Sequence, residues 1–218
     1  MLRRKKRGAP GESGCAGFYK RGESDMKRRT ASILLAGMLV AGTWTPLQAG
    51  VFGTATTLRP GHFALGLEPS FAFSPAEFLL YLHGGVGLTR AIDLDLKLGF
   101  GSYTYFGADV EFVLLPDRAG TPGISWVAGA HGTSHLGFDS SLILSNRFKT
   151  FSLYGALDAD FEVLQNDADR TTEVLVPLYF DLGVAIPLSR QVEFLLEGNI
   201  GITSPANSGL SGGVMFYF

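Results

Sequence analysis

The stretch Ile92-Asp93-Leu94-Asp95-Leu96-Lys97-Leu98-Gly99-Phe100 puts an apolar residue at every even position and a charged or small one at every odd position. Successive side chains of an extended chain point to opposite faces. Ile92, Leu94, Leu96, Leu98 and Phe100 therefore share one face, and Asp93, Asp95 and Lys97 the other. Wound into a helix, the three charges would be smeared around the cylinder. The segment reads as a β-strand with one apolar and one polar side.

The same alternation recurs outward along the chain. Phe106, Ala108, Val110, Phe112 and Leu114 alternate with Gly107, Asp109, Glu111 and Val113. Leu153 to Phe161 alternate with Tyr154, Ala156, Asp158, Asp160 and Glu162, and Val174 to Val184 with Leu175, Pro177, Tyr179, Asp181 and Gly183. Val192, Phe194 and Leu196 face away from Glu193 and Glu197. Ten strands are expected, at about 62–73, 78–89, 91–101, 103–115, 123–133, 138–147, 150–163, 172–187, 190–202 and 208–218. The count falls to eight if the fifth and sixth are loop, because Ser141 to Arg147 barely alternates. Short connections around Arg90, Arg147 and Arg190 alternate with longer, more polar ones at 132–139, 165–172 and 204–209. That asymmetry, with Arg90, Arg118, Arg147 and Arg190 all at one end, is typical of the two ends of a transmembrane barrel.

The chain is 46% hydrophobic and 17% charged, low for a soluble domain. Even so, it lacks a run of about 18 apolar residues that would make a spanning helix. The N-terminal part is chemically distinct. Residues 1–49 hold ten Lys or Arg and three acids; residues 50–218 hold eight basic and seventeen acidic residues, a net of −9. Met26-Lys27-Arg28-Arg29, an apolar run from Ala31 to Gly42 and a closing Leu47-Gln48-Ala49 follow the order of a secretory signal peptide. The expected organisation is a mis-assigned extension at 1–25, a signal peptide at 26–49 cleaved after Ala49, a short periplasmic segment at 50–61 and the barrel at 62–218. The single cysteine, Cys15, lies in the expected extension, so the mature chain folds without disulfides.

The last residues, Leu210-Ser211-Gly212-Gly213-Val214-Met215-Phe216-Tyr217-Phe218, place Leu210, Val214, Phe216 and Phe218 on one face and end on Phe. At this point the sequence resembles bacterial outer-membrane β-barrel proteins, the small barrels of the outer-membrane-protein-A and -X type above all, over roughly residues 60–218. The resemblance implies an all-β, transmembrane, antiparallel up-and-down barrel in the outer membrane. It also implies that Leu210, Val214, Phe216 and Phe218 are read by the barrel-assembly machinery. The expected partners are that machinery and outer-membrane lipid, not nucleic acid; no ligand is named. A soluble barrel would need an outer face rich in charge, and eight basic residues in 169 are too few to supply it. Phe71, Phe73, Tyr103, Tyr105, Phe161 and Phe216 are candidates for the interfacial aromatic girdles.

With the apolar faces outward, Glu68, Asp93, Asp95, Asp109, Glu111, Asp158, Asp160, Asp181, Glu193 and Glu197 point into the bore, against Lys97 and His83. So many carboxylates cannot all be ionised in a dry interior. A barrel of this size is often filled by side chains, so a plugged, non-enzymatic barrel with a structural or interaction role comes first. A narrow cation-preferring path comes second. The third reading, a surface enzyme, rests on His131, His135 and Asp139 around an outer loop. The ten-stranded omptin proteases use acids and a histidine at the outer rim. Here Asp93 and Asp95 sit at the wrong end, and no histidine follows Asp158 and Asp160. Ser134 and His135 are neighbours in a strand and so point apart. No catalytic residue, cofactor or metal site is expected.

Overall fold

The computed structural model describes residues 52–118, 120–133, 135–166, 171–204 and 206–218. The expected extension at 1–25, the signal peptide at 26–49 and the cleavage after Ala49 lie outside the described residues.

Eleven strands follow one another: β1 Phe63–Phe73, β2 Ala76–Gly87, β3 Ile92–Gly101, β4 Tyr105–Leu115, β5 Gly123–Gly132, β6 Leu136–Arg147, β7 Ser152–Asn166, β8 Thr171–Leu175, β9 Leu178–Pro187, β10 Val192–Gly201 and β11 Gly209–Tyr217. β8 and β9 form one wall. Both pair with β7 in a single register, from Asn166↔Thr171 through Glu162↔Leu175 to Ala159↔Leu178 and Ser152↔Ala185. Between them Pro177 lies across from Asp160, whose N–H donates to the Pro177 carbonyl at 3.0 Å. Proline has no N–H to return, so the ladder skips one step. The barrel therefore has ten walls, and the eight-strand alternative is excluded: β5 and β6 pair continuously from Gly123↔Ser145 to Gly132↔Leu136.

Every neighbour pairing is antiparallel, and the sheet closes where β1 meets β11, with Leu65 opposite Phe216 and Leu67 opposite Val214. Closure leaves no open edge, as a structure surrounded by hydrocarbon requires, since unpaired backbone groups there cost several kcal/mol each. Among the described residues no helix is long and apolar enough to cross a membrane.

The faces sort as the alternation dictates. β1 runs exposed, buried, exposed without a break. Leu65, Leu98, Leu142, Leu157 and Leu182 are among the large apolar side chains on the outside, each 48–58% exposed. The fully buried set is instead mostly polar or aromatic, with Asp160, Asp181, Glu197, His131, Tyr154 and Tyr179 in it beside Ile143 and Leu195. An apolar exterior around a polar interior is the inverse of a water-soluble barrel. Glycines make room for the large interior side chains. A Cβ on Gly183 would collide with the ring of Tyr154, its cross-strand partner.

Two expectations need correction. Tyr105 is no girdle residue: it is 3% exposed and packs inside the barrel against Tyr81 and Leu79, with Tyr103 half-buried beside them. The residues before β1 do not simply hang below the barrel as a periplasmic segment. Phe52 and Ala55 are buried among side chains of β6, β7, β9 and β10. The segment therefore runs within the bore and leaves it at a turn where Gly61 has φ +77°, a conformation that glycine adopts without steric cost.

Candidate functional site

The bore is the place where the titratable residues converge. It has a terminal end, where β1 begins beside Phe218, and a distal end. The terminal half is occupied by residues 52–58. The Phe52 N–H donates to Glu197 Oε2 at 2.9 Å, the Ala55 N–H to Ser145 Oγ at 3.2 Å and the Leu58 N–H to Asp93 Oδ2 at 2.5 Å. The Phe52 ring stacks on His83 at 5.3 Å. Gly85 and Gly87 of β2 leave the space through which Leu58 and Arg59 pass. A peptide without secondary structure has backbone donors to satisfy, and the wall carboxylates accept from them.

At mid-height, His83 bridges two acids, with Nε2 at 2.7 Å from Glu68 and Nδ1 at 3.4 Å from Asp95. Lys97 Nζ lies 2.8 Å from Asp109. Ser141 donates to Asp158. A cavity of about 130 Å³ remains, lined by the inserted segment and by Asp93, Asp95, Asp109, Glu111, Asp139, Asp158 and Glu193. Glu193 also accepts from the Tyr217 hydroxyl at 2.7 Å. Asp160, Asp181 and Glu197 are buried at 0–2% exposure. Each acid placed inward by the alternation thus lies on the inner face, Asp95, Glu111 and Glu193 only half-buried.

Toward the distal end the bore holds aromatic and charged side chains. Tyr81 and Tyr105 meet edge to face at 5.4 Å, and Tyr105 stacks on His131 at 5.5 Å. Tyr179 is fully buried. The bore thus holds tyrosines toward one end and residues 52–58 toward the other.

The trio suggested for a surface enzyme is not brought together. β6 begins at Leu136, so Asp139 belongs to the wall and not to a loop. His131 and Asp139 do meet, Nδ1 to Oδ2 at 3.2 Å, but inside the barrel at 1% and 9% exposure. His135 lies in the connection between β5 and β6, outside that pair; Ser134 lies outside the described residues. The residues that instead join His131 are Asp160 and Glu162 of β7. Glu162 shares the parity of Asp158 and Asp160, so its inward aim was readable in the alternation. The meeting across β5, β6 and β7 was not.

Leu210, Phe216 and Phe218 are exposed on the outer face and Val214 is half-buried. Arg90, Arg118, Arg147 and Arg190 all lie at the end where β1 begins and β11 finishes, in the connections or at the last residue of β6.

No protein-family model matches the chain, and no curated protein matches it. Among solved structures it is similar to the NanC porin, with 7% identity, 71% of this chain and 99% of that chain covered and a TM-score of 0.51. It is also similar to an outer-membrane channel from Pseudomonas putida F1, with 10% identity, 79% and 100% coverage and a TM-score of 0.51. At such identities the likeness speaks for the fold. The chain is a closed ten-stranded antiparallel β-barrel whose structural neighbours are bacterial outer-membrane porins and channels.

Proposed function

We propose that this chain is an exported, integral outer-membrane barrel with a structural or interaction role in the cell envelope, its bore closed in the resting state. The observation that carries the reading is the insertion of residues 52–58, bonded by three backbone N–H groups to Glu197, Ser145 and Asp93. The apolar exterior and the barrel-type neighbours support the membrane assignment. The tyrosines Tyr81, Tyr105 and Tyr179, buried inside the barrel, support closure. Catalysis forms no part of the reading.

A second reading has its own support. The cavity of about 130 Å³ is lined by seven carboxylates with Lys97 among them, which suits cations that reach it once the inserted segment withdraws. The experiment is single-channel recording on the chain purified from bacterial outer membranes, after a heat-dependent gel-mobility shift has verified folding. A silent bilayer is expected. Steady, cation-selective steps that shrink in Asp93→Asn and Asp158→Asn would replace the closed barrel with the cation path.

A further inference from the structure

Carboxylates form a belt across neighbouring walls near the distal half of the bore. Asp95 faces Asp109, Asp109 faces Gly129, Gly129 faces Asp139 and Asp139 faces Asp160 along consecutive pairings of β3 to β7. Like charges directly opposite one another destabilise a sheet. Lys97 relieves one end of the belt through Asp109. At the other end stand His131, Asp160 and Glu162, at 1%, 0% and 3% exposure.

We propose that His131, Asp160 and Glu162 form a binding site for one divalent transition-metal ion of the zinc class. Each offers one ligand atom, and the three atoms lie within 4.8 Å of one another. Small side-chain rotations bring such a set to metal–ligand distances of about 2.0–2.2 Å. Asp160 is wholly buried, yet both of its carboxylate oxygens, and His131 Nε2, have no hydrogen-bond partner among the described residues. Buried polar groups are ordinarily satisfied, so three orphaned atoms in one cluster point to something that fills the space.

The histidine is held in the pose that a metal requires. Nδ1 lies 3.2 Å from Asp139 Oδ2 and 3.9 Å from Asp160 Oδ1, whereas Nε2 has no hydrogen-bond partner among the described residues; in the tautomer with Nδ1–H directed to Asp139, the Nε2 lone pair is left for the ion. A carboxylate behind a ligating imidazole fixes its tautomer and raises its basicity. The ring lies flat between Tyr105 and the backbone of β6 at Gly137, where a Cβ would collide with Nε2. Gly137 pairs with Glu162, so Nε2 lies over the strand pair that carries the second carboxylate ligand. Gly129 likewise admits the carboxylates of Asp109 and Asp139. One imidazole and two carboxylates, with a fourth position for water, suit zinc or its cobalt substitute. Calcium and magnesium take oxygen ligands and gain nothing from the histidine.

The test uses the purified, untagged full chain in detergent, stripped with chelator and titrated with Zn²⁺ by calorimetry and with Co²⁺ by visible absorption. One Zn²⁺ per chain is expected, together with cobalt ligand-field bands that Zn²⁺ abolishes. Asp139→Asn is expected to weaken binding about 10–100-fold, and His131→Gln, Asp160→Asn and Glu162→Gln at least as much. His135→Gln is expected to leave it unchanged. Saturable binding indifferent to His131→Gln and Asp160→Asn overturns the proposal. So does the lack of cobalt bands in the unsubstituted protein, a result that stands even if every variant fails to fold. In that case water or shared protons satisfy the cluster.

Discussion

Phe52 and Glu197 are 145 positions apart in the chain and meet inside the barrel, the Phe52 N–H donating to Glu197 Oε2 at 2.9 Å. Glu197 is 2% exposed. A carboxylate so placed has a large desolvation cost, and the inserted backbone offsets part of it with a charge-assisted hydrogen bond. Wall and inserted segment thus complete each other: the acids of the bore need donors, and a peptide without secondary structure has donors to give.

Removing that acceptor should loosen the segment. A hydrogen bond to a charged group contributes about 1.5–3 kcal/mol, so Glu197→Ala is expected to raise the opened population about tenfold or more. Ala55→Cys in a Cys15→Ser background reports it, since Ala55 is 0% exposed. Thiol labelling should be slow in that protein and accelerate when Glu197→Ala is added. Equal rates would mean that the bond does not hold the segment in place.

Lys97→Met should be among the most damaging single changes in the bore. The Lys97 and Asp109 side chains are 13% and 5% exposed and 2.8 Å apart. Breaking a buried pair from one side leaves an uncompensated charge, which costs about 3–5 kcal/mol. The urea midpoint of the detergent-solubilised barrel should fall accordingly, and the double change with Asp109→Asn should recover part of the loss. Independent effects of the two substitutions would argue against the pair.

The outer face can be mapped by arginine. Leu182, mid-strand in β9, is 58% exposed and is expected to face hydrocarbon. Leu182→Arg should destabilise the barrel in a bilayer by about 2–4 kcal/mol, whereas Leu188→Arg, in the turn after β9, should cost about 0–1 kcal/mol. Folding titrations in lipid vesicles give both numbers. A similar cost at the two positions would contradict the depth assigned to them.

Gly183→Val should be poorly tolerated because the Tyr154 ring occupies the site of the new Cβ. Overpacking of this kind costs about 1–3 kcal/mol. Gly84→Ala is the control, since nothing lies within 4 Å of its added Cβ. A thermal gel-mobility series should separate the two by several degrees, and identical transitions would show that Tyr154 moves aside without penalty.

How far the sequence reached is clearest at β4. Alternation alone sets Phe106 outward and Asp109 inward, and parity then turns Tyr105 inward too. Its aromatic type and its place near a strand end had suggested a girdle residue, yet the side chain packs on Tyr81 in the bore. Parity is a backbone constraint and outweighs a compositional tendency. At β8 and β9 the alternation from Val174 to Val184 runs unbroken through Pro177, and the shared register with β7 agrees with it.

By itself the sequence determined the two faces of the clearly alternating walls and the acidity of the interior, because a period of two is written locally, residue by residue; the fifth and sixth walls, where alternation is weak, were decided by their pairing. Only the tertiary structure decided what meets what across the bore. His131, Asp160 and Glu162 converge because closure and register bring β5, β6 and β7 into step. Residues 52–58 have no period to betray them. Their place inside the barrel follows from backbone donors that find Glu197, Ser145 and Asp93 on three distant strands, and such long-range satisfaction leaves no mark on neighbouring residues in the chain.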